Sequence, residues 1–281
     1  IQAQCLEVKT EIVFIDDASN DAFRKYNKEL CKGVRYIQLD KNIGRAAIRN
    51  LFLQYASHDY LLFLDCDSLI YNDDFLSNYI RAVKSYPNNV ICGGRVYENE
   101  TPSRDKMLRW KYGIKRESKP VDIRAQHPSA SFMTNNFVIS KENFEAVKFD
   151  ERLDEYGHED TLFGYELKKN GIEIIHIDNP ILNGDIESNV AFLRNTEKAI
   201  NNLTYLLKYS NYDSDLINDV TLLSLYYKLF KIRQLIFFCF LIVKPFIRYL
   251  LTKGYINLHL FDFYKIGFFI GIMNKSKSSQ S

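Results

Sequence analysis

Leu61-Leu62-Phe63-Leu64-Asp65-Cys66-Asp67-Ser68 is the stretch that decides the fold. Tyr60–Leu64 is a short run of large apolar and aromatic residues, as expected of a strand covered on both faces. It ends abruptly in two aspartates one residue apart. On an extended backbone, positions i and i+2 point to the same side, so Asp65 and Asp67 converge just past the strand's carboxyl end. In open α/β sheets that is where ligands bind. Two hard oxygen donors there suit Mg²⁺ or Mn²⁺, with substrate phosphates completing the shell. The same pair can also be a polar turn leading into the next helix, so its meaning depends on the rest of the chain.

Outward from this strand, strands and helices alternate. Glu11–Ile15 reads as a strand running into Asp16-Asp17-Ala18-Ser19-Asn20-Asp21, with Ser19 or Asn20 capping a charged helix over Ala22–Cys31. Val34–Leu39 is a second strand, and Arg45–Tyr55 a helix in which Ala46, Ala47, Leu51 and Phe52 suit close packing. A helix near Asp74–Ser85 and a strand at Val90–Cys92 follow. This spacing predicts an α/β fold with a doubly wound, mostly parallel sheet. Gly93–Ser131 is polar, basic and weakly periodic, and reads as a long excursion over the active face. Then come a strand around Phe132–Ile139, a helix from Lys141, a helix over Asp160–Asn170 stopped by Gly171, and a strand at Ile172–Ile177. Glu187–Tyr209 is a long amphipathic helix. Leu216–Leu251, interrupted by Pro245, and the aromatic segment His259–Met273 complete the chain.

Four polar clusters follow strands or open helices. The first, Asp16-Asp17-Ala18-Ser19, offers carboxylates to a nucleobase or to ribose hydroxyls, or simply makes a capping turn. In the second, Asn42-Ile43-Gly44-Arg45-Ala46-Ala47-Ile48-Arg49-Asn50, the two arginines share a helix face near a positive helix N-terminus. That suits a diphosphate; a solvated basic face has the same pattern. The third is Asp65/Asp67. The fourth, Tyr156-Gly157-His158-Glu159-Asp160-Thr161, places two acids at a helix start, as charge–dipole partners or as a general base.

In this order the clusters resemble family 2 glycosyltransferases of the GT-A fold, over roughly Glu11–Tyr209. The resemblance implies a Rossmann-like GT-A catalytic part over 1–185; a long helix and connector over 186–220 and, from its composition, a helical, membrane-associating extension over 221–281 are expected to follow. It implies that Asp16 or Asp17 contacts the base of a nucleotide sugar, usually a UDP-sugar. Asn42 belongs to the same donor-binding motif, and Arg45 or Arg49 helps position the nucleotide. Asp67 is the more direct ligand of Mg²⁺ or Mn²⁺, and Asp65 lies nearer the ribose. Asp160 is the catalytic base for an inverting transfer and Glu159 its acidic neighbour. Gly93-Gly94 and Thr134-Asn135-Asn136 resemble segments lining the sugar and acceptor site, and Trp110 is a candidate sugar-stacking residue. The chain departs from the family pattern twice. No Val-Ile-Ile-Pro-x-Tyr-Asn strand precedes Glu11, so a strand and most of a helix, about 25 residues, are expected upstream. Asn183 stands where relatives often place a metal-binding histidine, and His176 reads as a sheet residue.

With 281 residues, 46% hydrophobic and 26% charged, the chain can bury a substantial core. Its net charge of +2 hides an asymmetry: residues 221–281 carry nine basic groups and one acid, whereas the first 220 carry 28 basic and 34 acidic groups. Basic character mixed with Phe, Leu, Ile and Tyr points to a membrane surface and away from nucleic acid. Leu235–Val243 alone falls short of the roughly 20 residues needed to span a bilayer, so the tail is expected to lie in the interface. The alternative is a helical subdomain packed on the catalytic part. Five cysteines without a C-x-x-C pair read as core residues of a reducing compartment, and no secretory leader is visible in the opening residues. Taken with the resemblance, these features imply a protein expected at the cytoplasmic face of the inner membrane and acting on a glycan or lipid-linked acceptor. An inactive relative serving as a membrane-bound scaffold or binding subunit is the competing reading.

Overall fold

The computed structural model describes residues 8–153 and 157–278; Cys5 and Tyr156 lie outside the described residues. The first unit is β1 (Val13–Asp16), α1 (Asp21–Leu30) and β2 (Arg35–Gln38), which pairs parallel to β1. Asn20 caps α1, its side chain accepting from the Phe23 N–H at 3.1 Å. Next come α2 (Arg45–Tyr55), β3 (Tyr60–Leu64), the two-residue β4 (Ser68–Leu69), α3 (Phe75–Ser85), β5 (Val90–Cys92) and β6 (Arg95–Val96).

The expected irregular excursion is largely helical. It holds a 3₁₀ turn at Arg104–Lys106, α4 (Met107–Tyr112), a π-helical turn at Gly113–Glu117 and α5 (Val121–Gln126). Its inward positions include buried Arg109 and Arg124, where an apolar pattern would ordinarily reveal a helix. Beyond it lie β7 (Asn136–Ser140), α6 (Lys141–Ala146), α7 (Glu159–Lys169), β8 (Ile174–His176) and β9 (Ile181–Asn183).

The main sheet has the order β3-β7-β5-β8. β7 runs antiparallel to both β3 and β5, and only β5 and β8 pair in parallel, so the sheet is mixed and not mostly parallel. Among the described residues, β1–β2 and β4-β9-β6 form separate small sheets. Strand periodicity divides the core in two. Leu61 and Phe63 of β3, with Phe137 and Ile139 of β7, face α2, α6 and α7, where Phe63 stacks on Phe137 at 4.8 Å and Phe149 on Phe163 at 4.1 Å. Leu62, Leu64 and Val138 face the other way, onto Phe75, Leu76 and Tyr79 of α3. Helices on both faces make this a doubly wound α/β arrangement.

The C-terminal third is α-helical: α8 (Asn189–Tyr209), α9 (Ser214–Asp219), α10 (Thr221–Lys228), α11 (Arg233–Thr252) and α12 (Leu258–Ser278). Leu203, Leu206 and Leu207 of α8 share one core with Leu162 and Tyr165 of α7, Leu223 and Tyr226 of α10, and Phe269 and Ile270 of α12. Most of the tail is therefore packed on the α/β part. Pro245 does not interrupt α11: it is exposed, so the backbone bond it forgoes lies away from the packed side. The expectation that the cysteines are core residues holds for Cys92, whereas Cys66 and Cys239 are exposed.

Candidate active site

Arg49 joins three of the four clusters. Its Nη2 donates to Asp65 Oδ1 at 3.2 Å, and its Nη1 lies 3.5 Å from Glu159 Oε1. Arg45, one turn earlier on α2, reaches the same Glu159 oxygen at 3.5 Å. The i, i+4 spacing aims both guanidiniums at one acid, and the end of β3 is thereby tied to the start of α7. Asp67 is exposed, and its carbonyl accepts from the Gly184 N–H at 2.8 Å. Ser68 pairs with Asn183 in the β4–β9 ladder, so Asn183 does sit beside the Asp-x-Asp turn; its amide donates to the Asp185 carbonyl.

The first cluster is internally bonded. Asp16 is almost fully buried and accepts from Ser19 N–H (2.8 Å), Asn27 Nδ2 (3.2 Å) and the Tyr36 hydroxyl (2.6 Å). Burial alone would raise its pKa, but these donors outweigh burial and hold it at about 2. Asp17 accepts from the Ile43 N–H (2.8 Å) and the Gly44 N–H (3.3 Å), and Asn42 Nδ2 donates to the Asp17 carbonyl at 3.2 Å. Asp17 therefore fixes the loop that leads into α2, with Gly44 at φ +84° as its turn residue.

Glu159 is neutralised by two arginines, and Asp160 is not. Asp160 accepts from the Thr161 N–H at 2.7 Å, while burial first and then the adjacent Glu159 charge raise its pKa to about 6. A carboxylate tuned near neutral pH is suited to accept a proton from a hydroxyl. His158 caps α7 in the left-handed region at φ +69°, bonds Thr161 Oγ1 through Nδ1 at 3.1 Å, and is held down at about 4 by burial, hence neutral.

Other predicted residues fall around and beneath this centre. The Asn135 carbonyl accepts from the Asp65 N–H at 3.4 Å, and its side-chain oxygen accepts from Arg95 at 2.8 and 2.9 Å. Asn136 is fully buried, donating to the Gly94 and Asn179 carbonyls (both 2.9 Å) and accepting from Tyr79 at 2.6 Å. It shapes the site from below and does not line it. Gly94, at φ +89°, packs on Arg124, which a Cβ there would meet at 2.8 Å. Trp110 is half-buried on α4, its Nε1 donating to the Glu98 carbonyl at 2.8 Å.

Two groups escaped the sequence reading. Glu117 accepts from Arg109 (3.0 Å from each terminal nitrogen), Arg95 (3.3 Å) and Tyr97; burial opposes its ionisation, but the two arginines hold its pKa at about 2. This cluster continues through Arg95 to Asn135 and so to Asp65. The available signal was Gly113, an isolated glycine in a helical stretch, where the Tyr97 ring would lie 2.4 Å from a Cβ. The second is Arg124, which donates to the Lys119, Cys92, Gly93 and Ile177 carbonyls and to His176 Nδ1 at 2.8 Å. His176 is the buried sheet residue expected from its place in β8.

Among the described residues no third His, Cys, Asp or Glu joins Asp65 and Asp67 in a metal cage. Two carboxylates at an exposed strand end fit a hard cation that takes its remaining ligands from water and a diphosphate. The donor set is compatible with Mg²⁺ or Mn²⁺ on those terms.

The profile described as glycosyl transferase family 2 matches residues 3–146, half of the chain. This chain belongs to glycosyl transferase family 2. Over 197 residues it is 26% identical to a chondroitin synthase of Escherichia coli, covering 57% of this chain and 28% of that protein. It is 24% identical to a hyaluronan synthase of Pasteurella multocida, covering 57% of this chain and 20% of that protein. The chain thus spans between a fifth and three-tenths of the length of these relatives. The fold is that of the mannosyltransferase PcManGT from Pyrobaculum calidifontis, solved with GDP-Man and Mn²⁺, at a TM-score of 0.53 and 14% identity, covering 96% of this chain and 67% of that one. The α/β architecture is GT-A.

Proposed function

We propose that this family 2 glycosyltransferase moves a sugar, with inversion, from a nucleotide-sugar donor to a hydroxyl of a glycan or lipid-linked acceptor. The observation that carries this is Arg49, which holds the Asp65 end of β3 against the Glu159–Asp160 start of α7. A diphosphate site and a proton acceptor then share one cleft. Asp17 and Asn42 border the base end of the donor, and Arg45 and Arg49 face its phosphates. The Arg45 and Arg49 contacts to Glu159 leave Asp160 as the group that takes the acceptor proton. The acceptor oxygen bonds to the anomeric carbon on the face opposite the diphosphate, and the bond from that carbon to the leaving phosphate oxygen breaks. A cation held by Asp67 and Asp65 would supply charge neutralisation of the departing diphosphate. Positioning and this electrostatic complement provide most of the rate. The UDP-sugar preference, the catalytic role of residues 1–185 and a seat at the cytoplasmic face of the inner membrane belong to the same proposal. PcManGT, solved with GDP-Man and Mn²⁺, supports a nucleotide-sugar donor and a divalent cation. A panel of UDP- and GDP-sugars, assayed for hydrolysis and transfer with Mn²⁺ or Mg²⁺, tests it: turnover of at least one donor is expected, and turnover of none contradicts the proposal.

A further inference from the structure

α11 carries apolar residues on opposite sides, yet only one of those sides is covered. Phe240, Ile247 and Leu251 pack into a core with Phe261 and Tyr264 of α12 and Phe192 and Leu193 of α8. Gly267 and Gly271 of α12 admit the Phe240 and Phe237 rings, which a Cβ at either glycine would meet within 3 Å. On the opposite arc Leu235, Phe238, Leu241, Ile242, Phe246 and Tyr249 are each 54–64% exposed. Their spacing of three and four residues places them on one stripe, about 20 Å long at 1.5 Å per residue. Patches of this kind mark contact surfaces.

The charges around the stripe indicate what covers it. From Lys228 to Tyr255 there are six basic residues and no acid. Lys228 and Lys231 are exposed at one end of the stripe and Lys253 at the other, while Arg248 turns inward to Glu197 and Tyr264. A second copy laid antiparallel on this face would set lysines against lysines, with no acid on the face to pair them. An anionic lipid surface meets both the apolar stripe and its basic ends.

By length and composition α11 is the one helix among the described residues able to cross a membrane, and the nine apolar residues of Leu235–Val243 understated it. Its inner arc is nevertheless packed on α8 and α12, whose other residues belong to the core around α7. A crossing would strip that arc from its partners. We propose that α11 lies flat in one leaflet, with Leu235, Phe238, Ile242, Phe246 and Tyr249 in the acyl boundary and Lys228, Lys231 and Lys253 at anionic headgroups. α10 and α12 stay in the protein core. This rests on the proposed function only for its purpose, since it identifies the surface from which an acceptor would be met. The 104–117 segment holds the two sites in fixed relation: Arg104 stacks on Tyr255 at 3.9 Å, Lys111 donates to the Ile256 carbonyl at 3.3 Å, and Glu117 belongs to the network reaching Asp65.

The test is co-sedimentation of the full chain with phosphatidylglycerol/phosphatidylcholine vesicles and with phosphatidylcholine alone. The chain is expected to pellet with the anionic vesicles, less with neutral ones, and to be released by alkaline carbonate. Phe238→Gln/Ile242→Gln/Phe246→Gln should lower binding at least about tenfold with little change in thermal midpoint, because these side chains are mostly exposed. Lys228→Gln/Lys231→Gln/Lys253→Gln should remove the preference for anionic lipid. A wild-type chain that stays in the supernatant, a triple apolar variant that binds undiminished, or resistance to carbonate would overturn the proposal. So would a lipid-free dimer that the apolar variant dissociates. Donor hydrolysis, read on the same samples, separates the two ideas: vesicle binding without turnover of any nucleotide sugar removes the transferase reading and leaves the lipid face standing.

Discussion

At the scale of single residues, the site is organised by which acids are paired. Arg49 and Glu159 are both almost fully covered, so removing Arg49 leaves the buried Glu159 charge to the exposed Arg45 alone. Arg49→Met should cost about 3 kcal/mol of stability, seen as a lower denaturant midpoint, together with most of the activity. Arg49→Lys should keep the charge but lose the simultaneous reach to Asp65 and Glu159, so donor KM rises more than the thermal midpoint falls. Asp160, raised to about 6, must be ionised to accept a proton. The kcat profile should therefore rise through about pH 6 and level off above it; a profile flat from pH 5 to 7 would contradict that role. Asp16 titrates with the opposite sign. Its folded pKa of about 2 lies below the ordinary value of 3.8, so it stabilises the fold above pH 3.8 and loses that contribution as pH falls through 2. Tyr36→Phe removes one of its donors, and the acid-unfolding midpoint should move to higher pH.

At the scale of elements, strands and amphipathic helices were legible because their periods are simple. Tyr60–Leu64, Val90–Cys92 and Arg45–Tyr55 lie where apolar spacing put them, to the residue. The direction of β7 was not legible, since a strand's own residues carry no record of whether its neighbours run with or against it. The α4–π–α5 region stayed hidden for a different reason: arginines occupy two of its buried positions, satisfied by Glu117 and by backbone carbonyls. Gly113 is the test of that region. Gly113→Ala pushes a methyl group against the Tyr97 ring and should destabilise by about 1–3 kcal/mol. Its distinguishing mark should be loss of activity ahead of unfolding, because Tyr97, Glu117 and Arg95 lead directly to Asn135 and Asp65.

At the scale of the whole molecule, the tail is two things. α10 and α12 complete the core around α7, and among the described residues of the tail α11 is the helix that turns an apolar side outward. Charge and composition of residues 221–281 led to the expectation of a membrane-facing tail but not to this division, which depends on which arc of each helix meets α8. Removing residues 221–281 should therefore expose Leu203, Leu206, Leu207 and Tyr165, and yield an aggregating, inactive chain; a soluble, cooperatively folded truncation would refute the shared core. The central claim is that one cleft holds both the donor site at Asp65 and Asp67 and the proton acceptor Asp160. The most direct measurement is single-turnover sugar transfer by the full chain and by Asp160→Asn, with nucleotide-sugar affinity measured in parallel. The expected result is a rate lower by about 10²–10⁴-fold with donor affinity unchanged. Undiminished transfer by Asp160→Asn, or loss of donor binding in step with loss of rate, would contradict it.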